Sequence, residues 1–139
     1  MKEENAGNMG NMFIESQSPY DFSTTVEKFT KEIENKSWKI ANIYDLQKTL
    51  ENHGKVVLPV KVFSICHPNQ SGKILKKDTE RIISSMMPCR VSVYEKHDGK
   101  TYISRMNSNI IAKGFGGIIE EVMTSSATEV EEIIESCIF

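Results

Sequence analysis

Apolar residues recur along the chain with two different periods, and the switches between them mark out its elements. Phe22, Val26, Phe29 and Ile33 stand four, three and four residues apart, which makes one stripe along a helix. Ser23 or Thr24 is placed to cap its start, and Thr24 with Glu27 has capping-box spacing. Ahead of it, Met12-Phe13-Ile14-Glu15-Ser16 reads as a first strand, halted at Ser18-Pro19 because a residue before proline is held extended. After it, Trp38 to Tyr44 alternates, with Trp38, Ile40 and Asn42 on one face and Ile43 breaking the pattern on the other. Asp45 caps a short helix that closes at Asn52-His53-Gly54. Val60 to Cys66, rich in β-branched residues, is the third strand, with Pro59 before it and Pro68 after it.

The next segment, Asn69-Gln70-Ser71-Gly72, reads as a loop. Ile74, Leu75, Asp78, Ile82 and Ile83 then follow helical spacing up to Met86, and Pro88 ends that helix and opens the fourth strand. His97-Asp98-Gly99-Lys100 predicts a hairpin with Asp-Gly at the centre of a two-residue type I′ turn. That turn sets Glu95 opposite Tyr102, Val93 opposite Ser104 and Val91 opposite Met106. The valine face is then the core, and Arg90, Ser92 and Arg105 reach solvent or a partner.

Asn107-Ser108-Asn109 caps a helix with the stripe Ile111, Phe115, Ile118, Ile119 and Val122. Gly114, Gly116 and Gly117 within it each cost roughly 1 kcal/mol against alanine, so close packing or a break must offset them. Close packing is the better account, because Gly114-Phe115-Gly116-Gly117 lacks the pattern of a phosphate loop. Thr124-Ser125-Ser126 reads as a hinge, and Thr128 with Glu131 opens a last helix with Val130, Ile133, Ile134, Cys137 and Ile138 inward. The sum is an α+β fold, an antiparallel sheet of about five strands with helices packed on one face.

Composition narrows the setting. The chain has 139 residues, 39% hydrophobic and 26% charged, with a net charge of −2. That is a globular balance with no field to attract nucleic acid or an anionic membrane. No apolar run approaches the ~20 residues of a membrane helix. The start, Met1-Lys2-Glu3-Glu4-Asn5, has no signal-peptide core. Residues 1–11 are expected to form a flexible tail and residues 12–139 a single α+β domain, in the cytoplasm. The three cysteines are then expected to be reduced.

The candidate chemistry gathers around Cys66 and Cys89, each at a strand end beside a proline. If the third and fourth strands pair antiparallel, these ends meet. Two thiolates with His67, Met86 or Met87 suit a soft metal such as copper(I) or zinc. The same pair suits reversible redox chemistry. The competing account is two small buried hydrophobes, a common fate for cysteine. Arg90 and Arg105 on one sheet face, with Tyr94, suit a small anionic ligand. His53 and His97 carry no assigned role, and no hydrolase triad ordering occurs.

Several stretches resemble one family. Phe22-Ser23-Thr24-Thr25-Val26, Trp38-Lys39-Ile40, Cys66-His67-Pro68, Met87-Pro88-Cys89-Arg90-Val91 and Val93-Tyr94-Glu95 are similar to domain of unknown function 302, in a cysteine-containing version. The resemblance runs from about Ser18 to Asn107. It implies a TBP-like β-α-β4-α core with helical insertions, and a homodimer, but no activity. The functional expectation is a ligand- or metal-binding module with a pocket lined by Cys66, His67, Met87, Cys89 and Arg90, with Tyr94 and Arg105 beyond. The alternatives are a thiol-dependent redox protein or enzyme using Cys66 and Cys89, and an interaction module without chemistry. No nucleic acid or membrane partner is expected.

Overall fold

Residues 12–139, which the computed structural model describes, form five strands and five α-helices. In chain order these are β1 (Phe13–Ser18), α1 (Phe22–Asn35), β2 (Lys39–Asp45), α2 (Leu46–Glu51), β3 (Val60–Cys66) and α3 (Pro68–Leu75). A 3-10 segment, Glu80–Met86, leads to β4 (Cys89–Glu95), β5 (Thr101–Met106), α4 (Ser108–Ala112) and α5 (Gly117–Ile138). The tail expected over residues 1–11 lies outside the described residues. The strands form one antiparallel sheet in the order β1-β5-β4-β3-β2.

The hairpin between β4 and β5 is present, but its register differs by one residue from the sequence expectation. Gly99 donates to the carbonyl of Lys96, and Lys96 donates to the carbonyl of Lys100. The loop is therefore three residues, His97-Asp98-Gly99, with Gly99 at φ 79° in the left-handed region that closes such loops. Val91 consequently faces Arg105, Val93 faces Ile103 and Tyr94 faces Tyr102. A one-residue change moves every β5 side chain to the opposite face. Thr101, Ile103 and Arg105 point into the core and are buried, while Tyr102 and Ser104 lie on the other face with Ser92 and Tyr94.

The broken alternation of β2 has a similarly local cause. Ile40 pairs with Ile65 and Asn42 with Ser64, so the chain bulges at Ala41. One extra residue there returns Ile43 to the face of its partner Phe63. The main core collects Phe29 and Ile33 of α1, Val130, Ile133, Ile134, Cys137 and Ile138 of α5, and Phe63, Ile65, Val91, Val93 and Ile103 of the sheet. Burial pushes the Cys137 thiol up to about 11, so it stays neutral in this core.

Five helix readings change. The cap of α1 is Asp21, whose Oδ1 accepts from the Thr24 amide at 2.8 Å, not Ser23 or Thr24. Asn69 to Gly72 is helix rather than loop, because Pro68 supplies the first-turn φ and needs no amide partner there. The helix foreseen from Ile74 to Met86 ends at Leu75, and only the 3-10 segment follows. Thr124 to Ser126 is no hinge: α5 runs unbroken through it, and the Thr128 hydroxyl donates back to the Thr124 carbonyl at 3.1 Å instead of capping a new helix. The break falls earlier, at Gly116 and Gly117, with φ 66° and 57°. A Cβ at either would meet nothing within 4 Å, so backbone conformation and not close packing explains these glycines.

Asp21→Ala is therefore expected to lower the thermal midpoint by a few degrees at neutral pH, whereas Ser23→Ala leaves it unchanged. The Thr24 bonds hold the Asp21 carboxyl below its ordinary 3.8. Its contribution is thus fully present above that value and fades as pH falls through the lower folded value. Melting curves of both variants at neutral and acidic pH check the site and the sign.

Candidate functional site

The antiparallel pairing of β3 with β4 brings the end of one strand to the start of the other. Ile65 pairs with Cys89, and Cys66 is the next residue of β3, so strand alternation directs the Cys66 and Cys89 side chains to opposite faces of the sheet at its end. Beyond these ends the sheet gives way to a cleft of about 360 Å³. Cys66, His67, Met87 and Cys89 line it, under a roof formed by the middle of α5 at Met123, Ser126, Ala127 and Val130. Ile74 of α3, Ile83 of the 3-10 segment and Val122 of α5, all buried in a second small core, form its apolar wall.

The polar groups of the cleft differ in how far they are engaged. Cys66 Sγ lies 3.1 Å from Ser71 Oγ. The His67 ring meets the Trp38 indole edge to face, with centroids 5.6 Å apart, and its Nδ1 is buried without a hydrogen-bond partner. Cys89 is open to the cleft yet walled by protein atoms, and that burial, with the charge of Cys66 next in importance, raises its thiol above the ordinary 9.0. Trp38 Nε1 donates to Glu129 at 2.9 Å, and Gln70 Nε2 donates to Ser125 at 3.0 Å, which ties α3 to α5 beside the cleft.

The two arginines do not form the paired anion site that the expected register implied. Arg105 is buried on the core side, where Nε and Nη2 donate to the two oxygens of Glu131 at 2.8 and 2.5 Å, and Nη1 donates to Ser16 Oγ at 2.9 Å. Arg90 borders the cleft with its backbone neighbours, but its guanidinium stands over the Tyr44 ring, 5.8 Å from the centroid. Tyr94 is remote from the cleft. It donates to Glu15 on the uncovered face of the sheet, where it stacks on Tyr102. Burial first, and then that bond, raise the Tyr94 hydroxyl pKa. Of the residues singled out from sequence, Cys66, His67, Met87, Cys89, Arg90 and Arg105 border one cleft, and Tyr94 does not. Among the described residues no three His, Cys, Asp or Glu side chains converge to hold an ion. Sequence reading missed Gln70, Ser71, Trp38 and Glu131 as parts of the site. Pro68 at a helix start was the available signal for the first two.

Nearly all of this framework lies within one family match. The model of Domain of unknown function DUF302 matches residues 14–138. The chain belongs to the DUF302 family. Its fold is similar to that in the crystal structure of an uncharacterized conserved DUF302 protein from Bacillus stearothermophilus, with a TM-score of 0.80 and 13% identity. The match covers 91% of this chain and 98% of that one, so the α+β architecture is that of the family. No curated protein matches the chain. Among the described residues of this DUF302 domain, no helix is long and apolar enough to cross a membrane.

Two outcomes are expected from these contacts. Glu131→Ala strands a buried guanidinium and should destabilise by about 2–3 kcal/mol, below the range for a fully enclosed pair because Glu131 is partly open. Glu131→Gln, which still accepts a hydrogen bond, should cost less, and urea unfolding measures both. Alkylation followed by peptide mass spectrometry should give Cys89 a midpoint above 9.0, with Cys137 reacting last. Cys66→Ser removes one of the two raising influences, so the Cys89 midpoint should fall while burial keeps it above the ordinary value.

Proposed function

We propose that this DUF302 chain is a small binding domain of the cytoplasm, and that its pocket is the cleft beside Cys66 and Cys89. The observation that carries the reading is one cleft of about 360 Å³ bordered by two free cysteines and by His67, whose buried Nδ1 has no partner. A concave, largely apolar cavity with a few polar groups is the usual form of a small-ligand site. The chemistry it offers is soft. Arg105 is neutralised by Glu131 and the Arg90 guanidinium lies over the Tyr44 ring, so the cleft offers no pair of arginines to an anionic ligand. Redox or nucleophilic work by the same pair is less well supported, because an activated thiol has a depressed pKa and that of Cys89 is raised.

Titration with a small apolar fluorophore tests the reading directly: one molecule is expected to bind per chain, and alkylation of Cys89 should weaken binding. Ala127→Trp, which fills the roof of the cleft, should abolish the signal. A signal unchanged in Ala127→Trp would show that the cleft is not the pocket.

A further inference from the structure

We infer that the cleft takes an uncharged, largely apolar molecule with one hydrogen-bonding end, and that the Arg105–Glu131 pair sets this preference, an inference that rests on the cleft reading above. Among the described residues that border the cavity, Glu131 is the one carboxylate, and Arg90 and Arg105 are the guanidinium groups. Arg105 Nε and Nη2 donate to the two oxygens of Glu131 at 2.8 and 2.5 Å, so these two charges cancel within the wall. Strand alternation turns Arg90 the other way. Its neighbour Val91 is buried in the main core, so the Arg90 side chain leaves the opposite face of the sheet, where it lies over the Tyr44 ring. Glu129, beside the cleft, accepts from Trp38 and Gln70.

The rest of the lining is apolar or neutral. Ile74, Ile83 and Val122 form one wall, and Met87 and Met123 extend it. Ser126, Asn107 and Asn109 bring hydroxyl and amide groups, which can hold a polar end without charge. Burial keeps the Cys89 thiol neutral by raising its pKa above the ordinary value. An ion entering this cavity gives up its hydration and finds no free opposite charge, whereas a hydroxyl in its place gives up far less. The ion pair also makes the preference reversible in both directions. Glu131→Gln leaves the Arg105 charge in the wall without its counter-ion, so a ligand carboxylate can serve instead. Arg105→Met leaves the Glu131 carboxylate free, so a ligand ammonium can serve instead. A wall that was neutral only through its apolar side chains would show neither response.

The test is displacement of an uncharged fluorophore, N-phenyl-1-naphthylamine, from the full chain by 1-octanol, octanoate and octylammonium. At about pH 8 the last two are ionised and an ordinary histidine is neutral. Octanol is expected to displace the fluorophore from wild type, with octanoate and octylammonium each weaker on the order of tenfold or more. In Glu131→Gln, octanoate should gain on octanol on the order of tenfold, and in Arg105→Met octylammonium should gain instead. Circular dichroism checks that each variant is folded. If one is not, the wild-type order and the other variant decide, and if neither is, the wild-type order decides. Octanoate or octylammonium displacing as well as octanol from wild type overturns the inference and leaves the cleft reading standing. A folded variant that keeps the wild-type order does the same. If the fluorophore does not bind wild type at all, both fall.

Discussion

The register of β4 between β3 and β5 is the constraint on which the rest of the structure depends. It sets Val91 against Phe63 on one side and Arg105 on the other, and Cys89 against Ile65. Burying a valine is worth roughly 1.5–3 kcal/mol, so a slip exposing Val91 and Val93 would lose several kcal/mol of core. The hairpin loop and the core agree: three residues with Gly99 left-handed are what put Ile103 beside Val93. The same register that fills the core fixes the chemistry at the strand ends. It leaves Cys89 next to the end of β3 and drives Arg105 inward.

The inward arginine has consequences across the fold. A buried guanidinium needs its donors satisfied, and Glu131, Ser16 and the carbonyl of Ile103 do so. Glu131 stands on α5 and Ser16 on β1, so one side chain of β5 couples the long helix to the adjoining edge strand. This bidentate pair is better read as a device that fixes how α5 lies than as a large net source of stability, since desolvating both ions offsets much of their attraction. With that position fixed, α5 can roof the cleft at one place and seal the main core at another.

The architecture was legible where the pattern was long or the chemistry strict. The α1 stripe, the β-branched run of β3 and the Asp98-Gly99 turn all appear in the fold. What failed were decisions settled by a single residue. Asp-Gly suits both a two-residue and a three-residue loop, and only the packed faces choose between them. One extra residue at Ala41 made a regular strand look irregular. Ser23, Thr24 and Asp21 all have cap-forming side chains, and the helix begins at Phe22, which gives the capping place to Asp21. For the site, the two cysteines and His67 were legible as residue types at strand ends. The placement of Arg105 was not, because it inherits the parity of the loop.

The cleft itself follows from how α5 is composed. Its first turns, through Ile119 and Val122, belong to the small core with Ile74 and Ile83, and its later turns, from Val130 onward, belong to the main core. Between them lie Thr124, Ser125, Ser126, Ala127 and Thr128, none with a large apolar side chain. In sequence that run looks like a flexible break. In the fold it is continuous helix passing over a gap, with Ser126 and Ala127 in the cleft lining and Ser125 receiving the Gln70 bond from α3. Large apolar residues at 126 and 127 would let the two cores merge above Cys66 and Cys89. Small ones keep them apart, so the cavity is a consequence of side-chain volume along one helix and not a defect in packing.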